Sequence, residues 1–277
     1  MKILVSSDWH LDYWSENVSP PELGPHLRGL DALILAGDLA DDPLQTWPVY
    51  LNWLGRHIDP AKVHILPGNH DYYGHRLDED AALRAVVEAA GMRFAQKQAL
   101  IFGDVRFLCC TLWTDFGLFG RPERSMQDAR WMEDFSRIQR DGHGELIQPE
   151  DLRVAHQDHL TWLTRQMEIP HKGRTVVVTH HQPSPVIGGR PTSLSPFFVS
   201  NLEDWIRAHT PDLWLCGHAH RRLQGRVGTT WIRDISFGYP HEVEPGDEQR
   251  RLMWGLLDTD TPSRSEERRV GKESRSR

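Results

Sequence analysis

The sequence is poor in cysteine, has no long apolar run and carries no surplus of positive charge. Three cysteines in 277 residues, with Cys109 and Cys110 adjacent, cannot build a disulfide framework, and a reducing cytoplasm is the simplest setting. No stretch approaches the roughly 20 apolar residues needed to cross a bilayer, and Asp8 arrives too early for the apolar segment of a secretory leader. A membrane is therefore not an expected partner. The formal net charge of −7 argues against general affinity for nucleic-acid backbones. The stretch from Pro262 onward contributes six Arg or Lys and three Glu, a net +3, which leaves the rest of the chain at −10. No internal repeat and no domain linker interrupts the pattern.

What is present is an alternation of short apolar runs with amphipathic stretches, as in an α/β fold. Residues 3–6, 32–35, 63–66, 105–111, 175–179 and 213–216 read as buried strands. Helices are predicted over 78–90, which stops before Gly91, over 149–167, which opens on Pro149, and over 126–138. Residues 43–57 are helical in character, with Pro48 expected to bend or split them. Ser200-Asn201-Leu202-Glu203 fits a capping box ahead of Trp205 and Ile206. Residues 223–227 and 230–235 around Gly228 suggest a hairpin, and 252–257 a last strand. One domain over 1–258 is expected, with 115–148 as a lid or cap and 259–277 as a disordered polar tail, natural or an added scar.

Side chains able to bind metals follow these strand-like runs. They lie in Asp8-Trp9-His10, Gly37-Asp38 with Asp41 beyond, Gly68-Asn69-His70-Asp71, His180-His181 and Gly217-His218-Ala219-His220. Loops leaving one sheet edge can bring such groups together. Their number exceeds what one divalent ion needs, so a two-metal centre is the natural inference. Carboxylate oxygen and imidazole nitrogen suit Mn, Fe, Zn and similar ions, while the neutral Asn69 amide adds a donor without charge. Two carboxylates against two divalent ions leave the centre positive, a balance suited to anion hydrolysis. Cys216 precedes Gly217-His218 but reads as a small buried strand residue.

These blocks, Asp-x-His, Gly-Asp-x-x-Asp, Gly-Asn-His-Asp, a strand-terminal His and Gly-His-x-His, occur in that order from residue 8 to residue 220. The chain resembles the calcineurin-like metallophosphoesterase superfamily. The resemblance implies a four-layer αββα sandwich of two mixed sheets, with the metal site at the C-terminal ends of the strands. It implies that Asp8, His10 and His220 hold one metal and Asn69, His180 and His218 the other, with Asp38 shared. Manganese is the first expectation, with Fe, Zn, Ni or Mg as alternatives. The ions would lie ~3.5–4 Å apart around a bridging hydroxide that attacks phosphorus. His70 would then assist the leaving group, oriented by Asp41, with Asp42 as a rival orienter of poorer spacing. The second block lacks the Arg after its second Asp, the third has Asp71 where Glu stands, and Leu11 replaces a Gly, all unlike the serine/threonine protein phosphatases. The pattern looks closer to the bacterial, small-substrate members.

The implied activity is hydrolysis of a phosphodiester or phosphomonoester of a small molecule. A nuclease of the same superfamily is the alternative, disfavoured by the acidic charge. A non-catalytic scaffold that binds protein partners would be expected to have lost ligands that this chain keeps. For the substrate, Tyr72, His181, Trp113 and Arg190 are candidates, alongside Tyr73 and Arg221. Trp9 and Trp113 default to core packing, as do Trp53, Trp162 and Trp205. Asp71 reads as a buttress of its loop, His75 and His241 as residues at most near the site, and the remaining histidines as surface or core. Gly188-Gly189-Arg190-Pro191 reads as a mobile loop and lacks the Lys-Ser/Thr of a phosphate-cradling loop.

Overall fold

Apolar runs flanked by turn residues favour strands covered on both faces, and the chain supplies enough helices to cover two sheets. The computed structural model describes residues 1–14 and 23–260. Its strands are β1 (Lys2–Ser6), β2 (Ala32–Ala36), β3 (Val63–Leu66), β4 (Arg93–Phe94), β5 (Gln98–Phe102), β6 (Val105–Cys110), β7 (Thr175–Thr179), β8 (Leu213–Cys216), β9 (Gln224–Val227), β10 (Thr230–Asp234) and β11 (Leu256–Asp258). Its helices are α1 (Gly24–Leu27), α2 (Pro43–Leu54), α3 (Asp80–Ala89), α4 (Pro122–Ala129), α5 (Asp134–Arg137), α6 (Pro149–Glu168), α7 (Ser195–Phe198), α8 (Glu203–His209) and α9 (Glu248–Leu252). One sheet runs β11-β1-β2-β3-β4, parallel except for antiparallel β11. The other runs β5-β6-β7-β8-β10-β9, parallel from β6 to β10 with antiparallel strands at both edges.

Side chains alternate across each strand and so define four layers. Ile3, Val5 and Ile34 meet Phe107, Val176 and Val178 in the seam between the sheets. Leu4, Leu33 and Leu35 face outward onto Trp47, Leu51, Leu83 and Val87 of α2 and α3. On the opposite side Leu108, Val177, Trp214 and Ile232 pack on Leu163 of α6 and Ile206 of α8. The expected αββα sandwich of two mixed sheets is therefore present. Each fully buried apolar side chain contributes about 1.5–3 kcal/mol, and the seam holds several.

Local differences from expectation have physical causes. Strands β4 and β5 were not legible: β4 is two residues long, and β5 alternates half-buried and exposed positions at a sheet edge. The predicted helix over 126–138 is two helices, α4 and α5, separated at 130–133. Pro48 neither ends nor splits α2. It sits on the exposed face, where the carbonyl deprived of its partner meets water. Ser200 does not cap α8, whose N-cap is Leu202; instead the Asn201 side chain accepts from Glu203 N. The predicted strand over 252–257 is replaced by β11, because α9 ends on Leu252 and a 3-10 turn occupies Met253–Gly255. At the start of the expected tail, Thr259 is held by Met1 through its N–H (2.9 Å) and hydroxyl (3.0 Å), whereas 261–277 lie outside the described residues. No described helix is long and apolar enough to cross a membrane.

Two histidines on α6 anchor the loop that leaves β6. Leu112 N donates to His159 Nδ1 (3.0 Å), and His156 Nδ1 donates to the Leu112 carbonyl (3.1 Å). Leu112 and Trp113 both have positive φ, a conformation that needs such support. Burial pushes the His159 pKa down to about 3, with Lys97 adding to the effect. A histidine held neutral in the fold but free to protonate near pH 6.5 when unfolded stabilises the protein fully above that pH, and its contribution is lost as pH falls towards the folded value. Lowering the pH from 7 to 5 should cost about 2 kcal/mol through His159 alone. Urea midpoints at the two pH values measure this, and a His159→Asn variant, which keeps an acceptor without the proton site, should lose less between them.

Candidate metal centre

Parallel strands deliver their C-terminal loops to one edge, and the chain places its polar side chains there. Asp8 and His10 follow β1, Asp38 follows β2, Asn69 and His70 follow β3, His180 follows β7, and His218 and His220 follow β8. Asp8 N donates to the Gly37 carbonyl (2.9 Å) and His10 N to the Asp38 carbonyl (3.0 Å), which locks the first two loops together. Gly217 N on the His180 carbonyl (2.8 Å) does the same for the second sheet. His180 Nδ1 reaches the Ala36 carbonyl (2.9 Å) and so ties the two sheets at this edge.

Asp71 has the buttressing position expected of it. Its buried carboxylate accepts from the N–H groups of Asp38 (2.7 Å), Leu39 (2.9 Å), Ala40 (3.3 Å) and Gly68 (2.8 Å), and from Trp47 Nε1 (3.3 Å). Burial and the neighbouring Asp38 push its pKa up to about 7, against the pull of those donors. The glycines of the motifs permit close approach. A Cβ at Gly68 would lie 2.2 Å from Asp38 Oδ1, and one at Gly217 would lie 2.3 Å from Asp8 Oδ2. Asp8, His10, Asp38, His218 and His220 all have positive φ, strain of the kind that persists where surrounding contacts enforce it.

The side chains of the seven expected ligands converge. His220 Nε2 lies 3.1 Å from Asp8 Oδ1 and 3.3 Å from His10 Nε2. His180 Nε2 lies 3.0 Å from Asn69 Oδ1 and 3.3 Å from Asp38 Oδ2, and His10 Nε2 lies 3.7 Å from the same Asp38 oxygen. Donor atoms of Asp8, His10 and His220 lie within 4.8 Å of one another, as do those of Asp38, His180 and His218. Asp38 thus stands between the two groups. His218 Nε2 is buried with no hydrogen-bond partner, a cost that a cation would remove. The donor set fits a divalent metal in hardness and in charge. His220 also holds Glu242 through Nδ1 (2.7 Å), the carboxylate–imidazole contact that orients metal-binding histidines.

His70 comes as close to His10 and Asp38 as the ligands do, yet its Nδ1 is engaged by Asp41 Oδ1 (2.8 Å). Asp41 rather than Asp42 makes this contact; Asp42 is the N-cap residue of α2. Arg137 Nη1 holds the other oxygen of Asp41 (2.7 Å) and its guanidinium lies 4.4 Å from the Tyr73 ring centre. Burial alone would lower the His70 pKa, but Asp38 and the Asp41 hydrogen bond raise it to about 9. The Tyr239 hydroxyl lies 3.3 Å from His70 Nε2, and the Tyr239 ring stacks on His10 at 4.1 Å. Arg137, Tyr239 and Glu242 went unnoticed in the sequence, where no motif surrounds them.

A cleft of about 350 Å³ opens over these residues, walled by Tyr13, Tyr73, Met132, Phe197, Phe198 and Tyr239. Tyr73 alone of the substrate candidates lines it. Tyr72 is buried, with its hydroxyl donating to Asp80 Oδ1 (2.5 Å). Trp113 and His181 are buried side by side with ring centres 5.2 Å apart, and His181 packs on His218 at 4.0 Å. Arg190 is exposed on its loop, and Arg221 packs over Gly189. All three cysteines are buried and free, and Cys216 points at the Arg233 carbonyl instead of the metal-binding groups. A larger shallow groove between α2 and α3 lies among apolar residues without this chemistry.

The family profile of the calcineurin-like phosphoesterases matches residues 1–222. Among solved structures, phosphopantetheinyl hydrolase from Mycobacterium tuberculosis is similar in fold, with a TM-score of 0.70 at 17% identity, covering 95% of this chain and 98% of that one. A candidate 5'-nucleotidase from Staphylococcus aureus aligns with a TM-score of 0.50 at 15% identity, covering 86% of this chain and 48% of that one. No curated protein matched the sequence.

The protons on this cluster predict its response to metal. Burial would lower His180, but Asp38 and its hydrogen bond raise the pKa to about 9; Asp8 and Glu242 raise His220 in the same way. A divalent ion must displace these protons, so affinity should increase as pH rises towards about 9. Titration of Mn²⁺ at pH 7 in buffers of differing protonation enthalpy should reveal proton release, and release should be smaller for His220→Ala.

Proposed function

The chain belongs to the calcineurin-like phosphoesterases, and on that premise we propose that it hydrolyses phosphodiesters or phosphomonoesters of small molecules with two divalent ions. The observation that carries this reading is the position of Asp38 between the Asp8–His10–His220 group and the His180–His218 group. Asp8, His10 and His220 would hold one ion, and Asn69, His180 and His218 the other, with Asp38 shared. Manganese is the first choice, followed by Fe, Zn, Ni or Mg. Bound there, the ions would acidify water and polarise phosphoryl oxygens.

The protein's own groups supply the rest. His70, held in one orientation by Asp41 and kept protonated by two carboxylates, presents Nε2–H towards the leaving oxygen. Arg137 neutralises Asp41 and fixes its rotamer, so the hydrogen bond to His70 is formed before substrate arrives. Tyr239 keeps the His10 ring in place by stacking and offers its hydroxyl at the same point. Residues 115–148 act as a cap: they bring Met132, Glu133 and Asp134 to the cleft wall and Arg137 to Asp41. Free buried cysteines fit a cytoplasmic setting. A nuclease is less well supported, because no Lys or Arg lines the cleft among the described residues.

The test uses metal content and turnover together. Chelation should abolish hydrolysis of aryl phosphate mono- or diesters, and Mn²⁺ should restore it. Asp38→Asn should lose both metal and turnover, whereas His70→Ala should keep its metal and lose about 10²–10⁴-fold in kcat. Unchanged turnover in both variants would sink the reading.

A further inference from the structure

We infer that the cleft selects esters whose alcohol portion is uncharged and apolar, and that it discriminates against substrates with a second anionic group. This rests on the phosphoesterase reading above and names the substrate class of the same site. The wall beyond the metal-binding side chains is made of Tyr13, Tyr73, Met132, Phe197, Phe198 and Tyr239. Such a surface favours alkyl or aryl groups through burial and ring contacts.

The charges point the same way. Among the described residues that line the cleft, none is Lys or Arg; beyond the metal-binding side chains and tyrosines the ionisable ones are His70, which faces the reacting phosphoryl group, and three acids, Glu133, Asp134 and Glu242. Asp134 accepts from the Tyr73 hydroxyl (3.0 Å) and Glu242 is bound to His220 (2.7 Å). Glu133 is exposed at the rim. The neighbouring cation, Arg137, is already matched by Asp41 (2.7 Å) and by Glu133 (3.6 Å). One phosphoryl group would therefore meet the metal-binding centre, while a second phosphate or a carboxylate would meet aromatic rings and acids. Removing that second anion from water without a partner is unfavourable.

The experiment compares phenyl phosphate with 4-carboxyphenyl phosphate on the full chain loaded with Mn²⁺. The carboxylated phenol is the somewhat better leaving group, so chemistry alone favours it. The expected result is a kcat/KM about tenfold or more in favour of the neutral ester. Binding of phenylphosphonate and 4-carboxyphenylphosphonate, measured by calorimetry, should show the same preference without turnover. Met132→Lys should erase or reverse the preference, and Glu133→Gln should reduce it; thermal melts and metal content establish that each variant is folded and loaded. Equal rates, equal phosphonate binding, or a preference for the carboxylated compounds would overturn the substrate class while leaving the hydrolase intact. Absence of hydrolysis for every ester, with metal bound, would overturn the phosphoesterase reading instead, and phosphonate binding would still decide selectivity.

Discussion

The strand-end loops depend on one buried carboxylate. Asp71 gathers four backbone N–H groups, three from the loop after β2 and one from the loop after β3. Those loops carry Asp38 and Asn69, so Asp71 sets the distance between an acid and an amide that never touch it as ligands. Backbone donors are well suited to this: they satisfy a buried carboxyl group without adding a mobile cation beside the candidate metal centre. A lysine or arginine in that place would compensate the charge equally well, yet it would compete with metal for Asp38. The arrangement therefore separates the task of holding the loops from the task of holding ions.

Close backbone contact has a second consequence. Ligands on adjacent strands about 4.8 Å apart can meet one ion only if their loops turn sharply back over the sheet edge. Five of the proposed ligands adopt positive φ, and the intervening glycines let His180 and the Asp8 and Asp38 carboxylates pass where a Cβ would collide. Strain at Asp8 and His218 is offset locally, since the Asp8 carboxylate accepts from His218 N at 3.1 Å. The two sheets thus stabilise each other's distorted turns, and the distortion is confined to the edge where the chemistry lies.

Most of the sandwich and the convergence of the metal-binding residues were legible in the sequence, for a physical reason. Strands buried on both faces are continuous apolar runs, and each delivers its ligands within a few residues, so pattern and chemistry are adjacent along the chain. Legibility failed where the decisive side chain lies outside any recognisable motif. Arg137 reaches Asp41 across 96 residues and Glu242 reaches His220 from a turn with no ligand spacing. Short edges such as β4 and β5 fell below the pattern as well. Proximity to a motif also misled: Tyr72 and Tyr73 are consecutive and both buried, but the turn sends the Tyr72 hydroxyl to half-buried Asp80 and sets the Tyr73 ring against the cleft. Nothing local distinguishes the two.

The contact between Arg137 and Asp41 couples α5 to His70, the proposed proton donor. Asp41 has two oxygens with different tasks: one orients His70, and the other is held by a guanidinium from α5. The same guanidinium covers Tyr73, whose ring packs on His70 at 4.3 Å, so imidazole, phenol and guanidinium form one stack with fixed spacing. Displacing α5 would release the carboxylate and the stack together, leaving the His70 imidazole free to rotate. It would also carry away Met132 and Glu133, which wall the cleft. Under the proposed mechanism, substrate fit and proton donation are consequently not independent: the element that shapes the cleft also holds Asp41, the partner of His70, in place.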